Sequence, residues 1–206
     1  VADMVHQVGA LLLVDGVSYC PHGFPDIAQL GADIYLFSTY KTYGPHQGIM
    51  VIRESARHLF APQTHYFNHN DMSKWMVPAG PDHAQVAASN GIIDYFDDLD
   101  SHHGGSEDKN RPRRVQALLR AAETPHIEVM LEYLLKRNDI RLLGPFTADH
   151  RAPTFSFVAN NIPAEILGKK LAELGIMAGA GHYYAARLFD DLGLDPNAGA
   201  VRLSFV

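Results

Sequence analysis

Two residues of complementary chemistry, Asp15 and Lys41, each follow a short apolar run and stand 26 residues apart. Asp15 follows residues 10–14 and precedes Gly16-Val17-Ser18. Lys41 follows residues 33–37 through Ser38-Thr39-Tyr40, and Gly44-Pro45 comes next. Apolar runs of this length, ended by turn residues, read as buried strands. Both groups then sit just past the carboxyl ends of consecutive strands, where open α/β sheets bind ligands. One reading is a buried structural ion pair, because buried charges are usually paired. The other is a pyridoxal 5′-phosphate (PLP) site, in which a lysine forms the Schiff base and an Asp partners the pyridinium nitrogen. A nearby carboxylate favours the protonated ring nitrogen. The lysine acts as a nucleophile only after losing its proton, which burial or a neighbouring cation assists. Ser38, just before the lysine, is placed to donate to a phosphate oxygen.

The elements that must position these groups follow from hydrophobic patterning. Strands are predicted at 10–14, 33–37 and 48–53. A short helix at 26–30 has Pro25 at its start and Gly31 at its end; a polar loop spans 38–47. Apolar strands separated by helices suggest a parallel or mixed sheet covered on both faces. Residues 61–81 are irregular, with Pro62, Pro78 and Pro81. One helix is predicted over 82–99, with Ala84, Ala87, Ala88, Ile92, Tyr95 and Phe96 on one side. Residues 101–114 form a charged, glycine-containing break. The remainder reads as an α+β unit. It has a helix at 115–137 interrupted near Pro125, strands at 141–143 and 154–158, and a helix at 163–174 capped by Gly175. An extended stretch at 176–178, a helix at 185–192 and a strand at 201–206 complete it.

Composition narrows the classes. The 206 residues are 47% hydrophobic and carry a formal net charge of −6, which argues against disorder and against non-specific nucleic-acid binding. The single cysteine excludes an intrachain disulfide and points to a reducing, cytoplasmic setting. No apolar run reaches the roughly 20 residues of a membrane helix, and the start does not resemble a secretory leader. The chain opens on Val1 inside a helical pattern and stops in an apolar run, which reads as a piece of a longer polypeptide.

The run VDGVSYCPH, continued by DIYLFSTYKTYGPHQGIMVIRE, resembles the cofactor-binding half of the fold-type-I, class V aminotransferases, in particular their cysteine desulfurase and selenocysteine lyase group. Ala79-Gly80-Pro81, residues 151–157 and residues 174–185 are similar to later segments of that group. The resemblance implies a PLP-dependent transferase fold of the aspartate aminotransferase type. Residues 1–100 would be part of the large PLP-binding domain, 101–114 a junction, and 115–206 a small C-terminal domain. It implies that Lys41 is the Schiff-base lysine and that Asp15 pairs with the ring nitrogen. Ser38 and Tyr40 would contact the phosphate, and Ser18 would stand near the ring hydroxyl. His22, His182, Arg187 and Arg202 are substrate-side candidates, and His46 lies in the same loop as Lys41. A homodimer acting on a small amino acid is implied as well, with neither nucleic acid nor membrane as partner. The segment that stacks on the ring and wraps the phosphate would precede Val1.

Three departures qualify the activity. Tyr184 stands where the group carries its persulfide cysteine, and Cys20 reads as a small packing residue. Gly179 stands where the substrate-carboxylate arginine belongs, leaving Arg187 or Arg202 to replace it. Pro81 occupies the place of a phosphate-binding hydroxyl. His65 with His69 and the His102-His103 pair have metal-like spacing, but no metal site is expected from them. The leading reading is a PLP enzyme of desulfurase-like architecture without the desulfurase cysteine. The alternatives are a true aminotransferase and a non-catalytic assembly protein that keeps the fold.

Overall fold

The structure is a computed structural model that describes all residues except Pro78, Ala79, Glu107 and Val206. It divides into two compact units, residues 1–119 and 120–206. The charged segment 101–114 falls inside the first.

The first unit is built on a mixed three-stranded sheet in the order β1 (Leu13–Asp15), β2 (Ile34–Ser38), β3 (Gly48–Ile52). β1 and β2 run parallel, with Asp15 opposite Leu36; β3 returns antiparallel, with Gly48 opposite Ser38. Between α1 (Ala2–Gln7) and β1 the chain turns at Gly9. His6 and the Leu12 N–H both bond the Asp33 carboxylate at 2.8 Å, and these contacts hold its pKa below the usual range. α2 (Ile27–Leu30) links the parallel strands. Asp26 caps its N-terminus through Ala28 and Gln29, and Gly31 ends it at φ 68°, a conformation that favours glycine. Phe24 packs edge-on against Phe37 and Phe96, and Tyr35, Ile34 and Ile92 are buried.

The sheet is less covered than its apolar runs predict. Leu13, Met50 and Val51 are exposed, and only β2 is substantially buried. A run's hydrophobicity reports that something covers it, and these outer strands lack that cover within the first unit.

After α3 (Glu54–Arg57), the 61–81 stretch contains only 3-10 turns among its described residues. The helix predicted at 82–99 is two helices, α4 (His83–Ala88) and α5 (Gly91–His102). At Ser89-Asn90-Gly91 the backbone switches to tighter bonds, from the Asn90 N–H to the Ala87 carbonyl and from the Ile92 N–H to the Ser89 carbonyl. Ser and Asn compete with helical hydrogen bonding through their own side chains, and Ser89 Oγ donates to Gln47 Oε1 at 2.8 Å. Ala84, Ala87 and Ala88 are exposed rather than core-facing. Asp100, at the end of α5, is buried and accepts bonds from Arg114 and Arg111. Those bonds keep its carboxyl below its ordinary pKa.

α6 (Arg111–Leu135) begins in the first unit and continues through Pro125 without a break. The second unit carries an antiparallel sheet in the order β4 (Ile140–Leu143), β5 (Thr154–Ala159), β7 (Ala200–Ser204), β6 (Gly179–Gly181). Ile127, Leu131 and Leu134 of α6 pack with Phe155, Phe157 and Val201 of the sheet and with Ala164 of α7 (Ala164–Glu173). α8 (Ala186–Asp191) precedes β7. The strand expected at 176–178 forms three residues later, as β6. Arg151 is buried, and its guanidinium donates to the carbonyls of Leu143, Pro145 and Thr154. An apolar groove of about 1180 Å³ lies along α6, lined by Met130, Leu134, Phe157, Leu167 and Phe205. It contains none of the candidate site residues.

Candidate active site

Parallel pairing of β1 with β2 brings their carboxyl ends to one edge of the sheet, and β3 starts from that edge. Asp15 and Lys41 both lie just beyond those ends. Asp15 pairs with Leu36, and the two-residue period of a strand puts Ser38 on the same face as Leu36. Only glycine fits after Asp15. A Cβ at Gly16 would lie 1.9 Å from Tyr35 Oη, and the Gly16 N–H donates to the Leu36 carbonyl at 2.8 Å. The Asp15 carboxylate accepts the Val17 N–H at 3.0 Å.

The loop holding Lys41 is braced from behind by two fully buried threonines. The Thr39 hydroxyl is shared between the carbonyls of Pro45 and Gln47. The Thr42 hydroxyl donates to the Ser38 carbonyl at 3.0 Å. The N–H groups of Thr42 and Gly44 both donate to the Thr39 carbonyl. Tyr43, at φ 63°, donates from its hydroxyl to the Pro21 carbonyl. A Cβ at Gly44 would meet Ile92 Cδ1 at 2.6 Å. Tyr40, Lys41 and His46 are exposed on the outer side, and Tyr43 is partly so. The Tyr40 and His46 rings stack at 4.6 Å, 7° from parallel, and Lys41 Nζ lies 5.8 Å from the Tyr40 centroid.

The structure corrects the buried-pair expectation. Asp15 and Lys41 are both exposed, as is Ser18, and among the described residues no ion pair joins Asp15 to Lys41. Ser38 is largely buried at the foot of the loop, and His22 is 4% exposed within the turn Cys20–His22. Cys20 is fully buried with Sγ 3.4 Å from Tyr35 Oη. Burial pushes its thiol up to about 11, so it stays protonated and acts as a packing group. His65 and His69 flank a 3-10 turn (Tyr66–Asn68). Among the described residues no cluster of three or more His, Cys, Asp or Glu is placed to hold a metal.

In the second unit the β6–β7 register sets Gly179 opposite Arg202. The Arg202 guanidinium lies 4.1 Å from the Tyr183 ring centroid, and the Tyr183 hydroxyl donates to the Ala200 carbonyl at 3.2 Å. Tyr183 and Tyr184 sit at φ 51° and 65°, each a strained conformation costing about 1–3 kcal/mol. His182 Nδ1 accepts the Tyr184 N–H at 3.1 Å. Tyr184 is fully exposed, and Arg187 on α8 is exposed as well. Sequence reasoning missed Thr39, Thr42 and Tyr183. The two threonines flank Tyr40-Lys41, and hydroxyls bracketing a reactive residue in a turn are a usable signal. Tyr183 acquires meaning only from strand register.

The donor set fits a PLP-type group. A solvent-facing carboxylate at Asp15, an exposed amine at Lys41 with no carboxylate partner among the described residues, and hydroxyls at Ser38 and Tyr40 share one sheet edge. Comparison with known proteins agrees. The pattern of the family described as aminotransferase class-V matches residues 1–206. The chain belongs to the class V aminotransferase family. This class V chain is 31% identical over its whole length to an aminotransferase-like protein of Gibberella zeae, FGM3, and covers 50% of it. It is 31% identical to a probable cysteine desulfurase of Pseudomonas putida, with 95% of this chain and 46% of that protein aligned. Its fold matches a cysteine desulfurase of Thermococcus onnurineus with a TM-score of 0.73 at 19% identity, over 99% of this chain and 50% of that one. The chain thus spans about half the length of these relatives. Members of the family use PLP. Among the described residues no helix is long and apolar enough to cross a membrane.

Proposed function

We propose that this class V chain carries the lysine-bearing part of a PLP-dependent enzyme that acts on a small amino acid. Its architecture is desulfurase-like, and it works without a persulfide cysteine. The observation that supports this is the shared sheet edge: Asp15 ends β1 there, and Lys41 follows β2 on a loop locked by Thr39 and Thr42. Lys41 would hold the cofactor through Nζ, and Asp15 would hold the proton on its ring nitrogen. Ser38 and Tyr40 would donate to the phosphate, and Ser18, with its short side chain, would reach the ring hydroxyl through a water. When bound, the cofactor supplies a sink for the electron pair left at the substrate Cα. Lys41 Nζ is the group that takes and returns the Cα proton. His22 and His182 are assigned to the substrate side. Arg202 is favoured over Arg187 for the substrate carboxylate, because its guanidinium is already fixed over Tyr183. With the Cys20 thiol buried and protonated, and a phenol at 184, sulfur would not pass through a protein persulfide at either position. The reading includes a homodimer in the cytoplasm, and exposed Leu13, Met50 and Val51 support association.

The full-length protein tests this. Its visible absorbance is scanned with and without added PLP, and borohydride reduction with peptide mapping locates the modified lysine. A PLP-dependent band and label on Lys41 are expected. No band, or a band that survives Lys41→Ala, overturns the enzyme reading in favour of a non-catalytic assembly protein. Amino donors paired with keto-acid acceptors then separate transamination from sulfide release.

A further inference from the structure

We propose that His46 is a phosphate-binding residue of the cofactor site, whose imidazole lies face to face with the Tyr40 ring and donates to the same phosphate as the Tyr40 hydroxyl. The inference deepens the function proposed above and rests on it for the identity of the ligand. Three observations carry it. The backbone frame of the loop builds the pair. Thr39, which precedes Tyr40, bonds to both neighbours of His46: its N–H donates to the Gln47 carbonyl at 2.8 Å, and its hydroxyl is shared between the carbonyls of Pro45 and Gln47. Positions 40 and 46 are thus set side by side by bonds that involve neither ring, and the rings meet at 4.6 Å, 7° from parallel. Their polar edges are unused: among the described residues, neither the Tyr40 hydroxyl nor the His46 imidazole has a hydrogen-bond partner. Finally, Lys41 Nζ lies 5.8 Å from the Tyr40 ring centroid, and among the described residues no carboxylate pairs with Lys41.

Stacking uses the faces of the two rings and leaves free the edges, where the N–H and O–H groups lie. A neutral imidazole keeps one N–H donor and a protonated one has two, so His46 donates in either state. An ammonium, a phenol and an imidazole therefore adjoin on the outer side of one loop, and no acid consumes their donors. That set suits a charged oxyanion with several acceptor oxygens. A phosphate monoester on a molecule held at Lys41 has this chemistry, and so does free phosphate. The residues after the lysine then share the phosphate with those before it, and the stack fixes the plane in which the imidazole donates.

The test uses the full-length protein freed of cofactor and titrated with PLP and with pyridoxal, which lacks the phosphate. The Lys41-dependent absorbance band reads both affinities. His46→Phe keeps a ring to stack on Tyr40 and removes the ring nitrogens. It should weaken PLP binding roughly ten- to hundredfold, the range of a hydrogen bond to a charged group, with pyridoxal binding unchanged. Tyr40→Phe should likewise weaken PLP and spare pyridoxal. PLP affinity in His46→Phe equal to wild type overturns the proposal, because the ring nitrogens then do nothing. Equal losses of PLP and pyridoxal overturn it as well, since they report damage to the loop. A second readout does not depend on the cofactor reading. The His46 imidazole nitrogen resonances, assigned by their loss in His46→Phe, are followed as inorganic phosphate is added to the wild type, with chloride at matched ionic strength as the control. A shift with phosphate alone is expected, and equal responses to the two anions overturn the proposal. If no Lys41-dependent band forms in the wild type, the enzyme reading falls, and the phosphate titration still decides the role of His46.

Discussion

Replacing Thr39 with valine keeps the side chain's shape and removes only its hydroxyl. The site is fully buried, so no water takes the hydroxyl's place. The size of the effect depends on what happens to its two acceptors. The Pro45 carbonyl also accepts the Gln47 N–H at 2.8 Å, and the Gln47 carbonyl also accepts the Thr39 N–H at 2.8 Å. Neither is orphaned by the change. The cost is therefore that of one net hydrogen bond, about 0.5–1.5 kcal/mol, rather than the roughly 1–3 kcal/mol added by an unsatisfied buried group. This corresponds to loop opening that is about two- to tenfold more frequent. Amide exchange at Thr42 and Gly44 reads it, because both N–H groups donate to the Thr39 carbonyl. Thr39→Ser, which keeps the hydroxyl, should retain most of the protection. Exchange in Thr39→Val that matches wild type, or equal losses in the serine and valine variants, would refute the claim that this hydroxyl braces the lysine loop.

Gly16→Ala should destabilise the first unit by about 1–3 kcal/mol or more, read by denaturant unfolding. Tyr35→Phe should not rescue it, because Cζ lies only 2.1 Å from the added Cβ. Asp100→Asn should lower the unfolding midpoint at neutral pH. Its carboxyl is held below its usual pKa by Arg114 and Arg111, so its contribution is complete above the unfolded-state value near ~4 and disappears as pH falls through the folded value. A melting series across that acid range should be flatter for the variant than for wild type. Cys20→Ala should lower stability by about 1–3 kcal/mol, because it leaves the buried Tyr35 hydroxyl without its Sγ partner, and should leave any sulfide release from cysteine intact; loss of that activity with the fold retained would restore Cys20 as a nucleophile.

Much of the scaffold was readable because local chemistry and tertiary role coincide. Asp26 and Gly31 mark the ends of α2, and the apolar run before Ser38 is β2. The order Asp15, Ser38, Lys41 along one sheet edge follows from the same runs. What could not be read depended on distant partners. The 82–99 helix breaks where Ser89 meets Gln47, a contact 42 residues away in sequence. Exposure of Asp15 and Lys41 depends on what covers the strand ends, which hydrophobic patterning does not report. The neighbours of Gly179 likewise emerge only from the register that sets it opposite Arg202, beside the ring of Tyr183.

The lysine loop also separates two kinds of sequence constraint. Its inward positions, Thr39, Thr42 and Gly44, are fixed by hydrogen bonds and close packing, whereas Tyr40 and His46 touch mainly one another on the outer side. Changes at 40 and 46 thus leave the loop folded, and a change at 40 is felt in cofactor binding instead. A substitution at 46 can therefore change the surroundings of Lys41 and leave intact the hydrogen-bonded frame that presents the lysine.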